Sequence, residues 1–295
     1  MMEISGTDGW RRWQGQLWRW LAALLSAIPL IATPAGAADL QPQTLEAFQR
    51  YASLAQVQFD WEVHRRAPFL WWEGLPESRR AAVAAELRSG KVVIERLEIS
   101  DGGTKLEIPE GLIHHWIGTV FIPGATLAQT LGFEQDYDHH QDYFRPDVVR
   151  SKILRRNGND FIVELRFYKK KMVTTVFETE HEVHYELIDP KHAWCRSRGT
   201  RIQEVENAGK SDERLNPPGH DRGFLWAMDT YWRFEEADGG TYVESQSISL
   251  TRDIPTGLGW LIGPYVNSVP RESLTFTLAT TRTEILRRIS VTPTK

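Results

Sequence analysis

The spacing of hydrophobic and polar positions along this 295-residue chain changes character near residue 106. Before that point it is mostly helical. Leu45, Phe48, Leu54 and Val57 recur at roughly helical intervals over residues 44–61, with Thr44 as a possible N-cap. Residues 77–89, ESRRAAVAAELRS, predict a second helix that Gly90 stops. Val93, Leu97 and Ile99 suggest a strand, Asp101-Gly102-Gly103 a turn, and residues 105–108 the return strand. Beyond residue 106 the period falls to two. An apolar run at 113–122 ends at Pro123-Gly124, and a short amphipathic segment carries Leu127 and Leu131. Residues 148–154 are then extended.

Strand follows strand from there. Phe161, Val163, Leu165 and Phe167 alternate with Glu164, Arg166 and Tyr168, and Phe177, Val183, Tyr185 and Leu187 continue the pattern as far as Asp189-Pro190. Residues 193–205 form a long Arg-rich strand, and 207–223 a polar loop. Trp226, Met228, Trp232 and Phe234 share one face of the next strand, leaving Ala227, Asp229, Tyr231 and Arg233 on the other. Asp238-Gly239-Gly240 makes a hairpin into 241–251. Pro255, Gly257, Gly259, Gly263 and Pro264 break the chain, and Leu274, Leu278, Thr281 and Ile285 mark a long helix over 271–288.

The N-terminus has a different logic. Arg11, Arg12 and Arg19 precede a 12-residue apolar run at 21–32, too short to span a bilayer comfortably, and Pro34-Ala35-Gly36-Ala37-Ala38 supplies small residues for cleavage. Residues 1–37 therefore read as a secretory signal peptide cleaved near Ala37, giving a secreted or periplasmic protein with no stable membrane span. Its removal takes three Arg and two acids, shifting the formal charge from −4 to −5. A mildly acidic chain offers no global basic field for nucleic acid. Cys195 is the only cysteine, so no intramolecular disulfide forms, and its strand-like setting favours a buried structural thiol.

Several motifs fail on their spacing. Ala208-Gly209-Lys210-Ser211 resembles the end of a phosphate-binding loop, but its first glycine position holds Glu204. Asp136, Asp138, His140 and Asp147 fall at calcium-loop positions, yet Gln141 stands where the turn needs glycine, so the bland reading is a solvated loop. No cofactor or metal is expected. Of His114 and His115, adjacent in a strand, only one can face a cavity. Arg166, His184, Arg198, Arg201, Tyr231, Arg233 and Glu244 form either a polar patch for a carboxylate or hydroxyl headgroup, or a cross-strand charge ladder on a solvent face. Residues 257–265 read as either a gate over the cavity or a core-packing turn.

The order of strand, short helix, strands and long C-terminal helix carries a resemblance. Pro123, Ala125, Leu127, Leu131, Asp136, Tyr137, Tyr143, Pro146, Val149 and Ser151 resemble the opening of the START-like, or SRPBCC, superfamily. The Asp-Gly-Gly-Thr hairpin, with Tyr231-Trp232-Arg233-Phe234 before it and Val243 after it, looks like that family's penultimate hairpin. The resemblance covers residues 106–290 and implies an α+β helix-grip fold, a curved antiparallel sheet around the long C-terminal helix. Residues 38–105 stand before it as a helical N-terminal extension with a short hairpin.

What the resemblance implies for function is a cavity between sheet and helix holding a hydrophobic small molecule, lipid or polyketide-like. The expected lining is Trp226, Met228, Trp232, Phe234, Trp260, Leu261, Leu278, His115, Arg166 and His184, with no catalytic residue assigned. A polyketide cyclase-like enzyme using the same cavity is one alternative. A non-catalytic module that meets a protein partner through residues 38–105 is the other.

Overall fold

Alternating residues of the β-rich region bury both faces of one open antiparallel sheet. The computed structural model describes residues 38–65, 68–171, 173–254 and 259–291, with side chains of the last helix described from residue 268 onward. Helix α1 (Pro42–Arg65) and α2 (Glu77–Arg88) precede β1 (Val93–Arg96) and β2 (Gly111–Pro123). Helix α3 (Leu127–Glu134) and the single turn α4 (His140–Tyr143) lead into β3 (Val148–Asn157), β4 (Asp160–Lys170), β5 (Thr174–Asp189) and β6 (His192–Glu206). Then come β7 (Ala227–Ala237), β8 (Gly240–Arg252) and α5 (Gly259–Val291).

The strands lie side by side as β1-β2-β8-β7-β6-β5-β4-β3, with the two-residue strand Arg214–Leu215 beside the end of β6. Strands β3 to β8 form a meander, and β2, from much earlier in the chain, pairs with the last strand. This order, with a long helix across one face, is the α+β helix-grip fold. The β7–β8 turn is two residues long, and both Asp238 (φ 52°) and Gly239 (φ 74°) are left-handed. That geometry matches the twist of the strands it joins.

We call the face under α5 inner and the other outer. On the inner face Val120, Ile122, Val163, Val183, Phe234 and Val243 pack with Leu274, Leu278 and Ile285 of α5. Gly118 of β2 permits this close approach. A Cβ there would stand 2.7 Å from the Leu278 side chain and 2.4 Å from that of Ile94. On the outer face α1, α2 and the turn Trp71–Gly74 cover Phe121, Trp194, Tyr231, Tyr242, Ile248 and Leu250.

Three details differ from the pattern reading. The buried stripe of α1 is Thr44, Phe48, Tyr51, Ala52, Ala55, Phe59 and Val63, and Val57 is 67% exposed. The aromatic rings carry more apolar area than the aliphatic positions and set the helix's rotation. Thr44 is no cap: its hydroxyl donates to the Pro109 carbonyl at 2.7 Å. Helix α5 begins at Gly259 rather than near 271, so Gly263 and Pro264 lie within it. A 33-residue helix tolerates a missing amide donor.

Candidate functional site

Register decides which side chains meet. Phe234 pairs with Val243 and Ala193, Trp232 with Ser245 and Cys195, and Thr230 with Ser247 and Ser197; Met228 faces Ser249. In β5 and β4 the same face carries His181 beside Val163, Thr179 beside Leu165, and Phe177 beside Phe167. The end of this face nearest α3 is sealed: Phe234, Val243, Ala193, Cys195 and Leu278 are all buried. Towards the other end, side chains in the middle of the sheet are only half-buried, although α5 lies across the same face. These include Met228, Thr230, Trp232, Ser197, Ser247, Leu165 and Phe167. Trp232 stacks on Phe234 with rings 6.3 Å apart and nearly parallel, and its Nε1 donates to Thr230 Oγ1 at 3.2 Å.

One buried histidine belongs to this face. His181 is 2% exposed. The Thr179 hydroxyl donates to the Leu165 carbonyl at 3.2 Å, so it accepts from His181 Nε2 at 2.9 Å. Nδ1 is then the acceptor, and its partner is the Ser197 hydroxyl at a long 3.5 Å. Burial pushes the imidazole down to about 4, so it is neutral at ordinary pH. Ser245 Oγ, also buried here, has no hydrogen-bond partner.

At the sealed end Tyr137 and Tyr185 hydroxyls meet at 2.8 Å, and Glu134 accepts from Thr281 of α5 at 3.1 Å. Burial raises Glu134 to about 7 and pushes the Cys195 thiol up, so Cys195 is inert.

The expected lining divides between the two faces. Met228, Trp232, Phe234 and Leu278 share the inner face. The side chains of Trp260 and Leu261, and with them the gate reading, lie outside the described residues. Four expectations are corrected. His115 points outward, where its Nδ1 meets the Tyr51 hydroxyl at 2.9 Å and its Nε2 lies 2.8 Å from the Gln246 amide, so it holds α1 to the sheet. His114 takes the inner parity instead, against Thr251 at 3.1 Å. Arg166 faces outward into a ladder with Glu178 (2.7 Å) and Glu213 (2.9 Å), the charge-pair alternative for these strands. His184 pairs with Asp160 at 2.7 Å on that face, beside the Trp194 ring. Trp226 precedes β7, donates to Asp221 at 3.1 Å and packs on the outer cluster.

Pattern reading passed over His181, Thr179, Ser197, Thr230, Ser245 and Ser247. The signal was present, because His181 shares its strand parity with Val183 and Tyr185. Among the described residues no three metal-ligating side chains converge, and the calcium-like loop spends its carboxylates locally. Asp136 pairs with His139 (2.6 Å) and Arg288 (2.9 Å), and Asp138 accepts from the Ile153 amide at 2.8 Å.

No protein-family model matches the chain, and no curated protein matches its sequence. Among solved structures it is similar to the STAR-related lipid transfer protein of Xanthomonas axonopodis, at 14% identity over 65% of this chain and 98% of that one, with a TM-score of 0.40. It is also similar to the Zhui aromatase/cyclase of Streptomyces sp. R1128, at 15% identity over 60% and 96%, with a TM-score of 0.38. The lipid transfer and protein localization domain of human StarD13 matches at 8% identity over 72% and 98%, with a TM-score of 0.39.

Proposed function

We propose that this chain binds an apolar small molecule between the inner face of its sheet and helix α5. The observation that carries this reading is the row of half-buried side chains at mid-sheet. Trp232, Met228, Leu165 and Phe167 are large and apolar, share the face on which α5 packs, and yet retain accessible surface. A filled interior would bury them as it buries Phe234 and Val243. An apolar ligand gains about 25 cal/mol per Å² of surface removed from water there. A hydrophobic fluorescent dye should bind saturably, and Thr230→Arg should abolish that binding by placing an unpaired charge among the strands. Thr200→Arg, at an exposed position, should leave it intact. Equal binding by both variants would refute the location.

Export belongs to the same proposal. Its support is the composition of residues 1–37 together with the anchoring just beyond them. Ala38 pairs with Asp221, and the Leu40 amide donates to the Gly219 carbonyl at 2.8 Å. N-terminal sequencing of protein recovered from an exporting host should read from Ala38 or Asp39; an intact Met1 would refute it.

A cyclase-like enzyme is a second reading, and His181 is what favours it. A neutral imidazole whose Nδ1 has only a long contact to the Ser197 hydroxyl has the chemistry to accept a proton or a hydrogen bond from a bound substrate.

A further inference from the structure

The inner face carries many hydrogen-bonding groups and no central charge. Thr179, His181, Ser197, Thr230, Ser245 and Ser247 all lie there, and every one is uncharged. Among the described residues the ionisable side chains of that parity sit towards strand ends, with Arg96 at the open end of β1, and most of the others are occupied. Lys169 pairs with Asp147, Glu204 with Arg222, and Glu236 accepts from the Leu127 amide at 2.7 Å. At the rim, Arg271 lies over the Trp116 ring and Glu272 pairs with Lys171. The other arginines of the middle strands, Arg166, Arg198 and Arg233, point outward.

Two of the neutral groups have unused capacity. Ser245, 1% exposed, has a hydroxyl with no partner, but it lies on β8, two strands from Ser197 with Trp232 between. His181 has spent Nε2 on Thr179, leaving Nδ1 with a hydroxyl 3.5 Å away, too long for a good bond. Buried hydrogen-bonding groups without partners are the exception in folded proteins and point to something that completes them.

Resting on the reading of the inner face as a binding site, we propose that the ligand buries a neutral hydrogen-bonding group, a hydroxyl or carbonyl, against His181 and Ser197, and that an ionised carboxylate or phosphate is excluded from that position. An anion there would lose its water and meet no cation. A neutral hydroxyl loses less, and can donate to Nδ1 while accepting from a serine.

A matched pair of ligands tests this: a 16-carbon alcohol and the corresponding fatty acid, each competing against a hydrophobic fluorescent dye at pH 8.5. The alcohol should displace the dye at a concentration at least about tenfold lower than the carboxylate. Ser197→Ala, a small change that leaves the core volume intact, should narrow that preference while dye binding persists. His181→Phe should narrow it further if the variant folds. Equal or tighter binding of the carboxylate, or a preference unchanged in Ser197→Ala, would overturn the proposal. Dye binding that neither lipid displaces would overturn it too, while sparing the broader reading. No saturable dye binding would remove the site itself and the proposal with it.

Discussion

Arg233 of β7 and Glu244 of β8 form a 2.7 Å ion pair in which the two side chains are 2% and 1% exposed. The pair lies on the outer face, beneath α1. Glu244 also accepts from the Trp71 amide at 3.0 Å and the Thr119 hydroxyl at 2.9 Å. Arg233 reaches Glu62 of α1 and lies 4.7 Å from the centre of the Phe59 ring. Sheet, α1 and the 71–74 turn therefore share one buried charge network.

Removing one partner of that network leaves a buried charge alone. Arg233→Met should cost about 3–5 kcal/mol in a denaturant melt. The loss should deepen as pH rises, because burial already lifts the Glu244 carboxyl above its ordinary range and the lost guanidinium opposed that lift. The double variant with Glu244→Leu should recover part of the loss. A single-variant cost below about 1 kcal/mol would contradict the network.

Burial holds four histidines neutral: His115 near 3, and His114, His140 and His181 near 4. In the unfolded chain each titrates near 6.5. The unfolded state therefore binds more protons between those values. Stability is fully present above about 6.5 and is lost as pH falls towards 4, up to about 1.4 kcal/mol per histidine per pH unit. Denaturant midpoints at pH 7.5, 6 and 5 should drop steeply, and His115→Gln should shallow the drop. A flat profile would contradict buried neutral imidazoles.

Glu134 works the other way. Its folded value, about 7, lies above the unfolded value near 4.5, so the folded state holds the proton more tightly. Its contribution declines as pH rises from about 4.5 to 7 and stays low above that. Glu134→Gln keeps an acceptor for Thr281 and should stabilise the protein at pH 8 by about 1–3 kcal/mol, with little effect at pH 4.5. Destabilisation at pH 8 would show that the carboxylate has a cationic partner beyond Thr281.

Gly118→Ala should cost about 1–3 kcal/mol, because the new methyl meets Leu278 and Ile94 where α5 crosses β2. Leu278→Ala, a fully buried change on the other side of the same contact, should cost about 2–5 kcal/mol. A neutral Gly118→Ala would mean that α5 lies further from the sheet.

Much of the sheet and the last helix was legible because alternation and turn chemistry are local. The β7 pattern separated Trp232 and Phe234 from Tyr231 and Arg233, and the register keeps them on opposite faces. What covers the second face was not legible. Tyr231, Arg233 and Glu244 read either as a polar patch in the cavity or as a charge ladder on a solvent face, and neither reading foresaw α1 packing over them, because a charge buried in a pair has the same sequence signature as a solvated one. For the same reason Arg166, His184 and His115 passed as cavity groups, although each has a partner on the outer face. His181 was missed because a histidine between glutamates looks exposed, although its parity with Val183 and Tyr185 already pointed it inward.

The central claim is that an apolar molecule lies against the inner face. The most direct measurement is photo-crosslinking with a diazirine-bearing apolar probe, followed by peptide mapping of the modified protein. Saturable labelling of Met228, Thr230, Trp232 or Leu165, suppressed by an unlabelled competitor, is the predicted result. Labelling confined to outer-face residues such as Trp61 or Trp226, or labelling that never saturates, would contradict it.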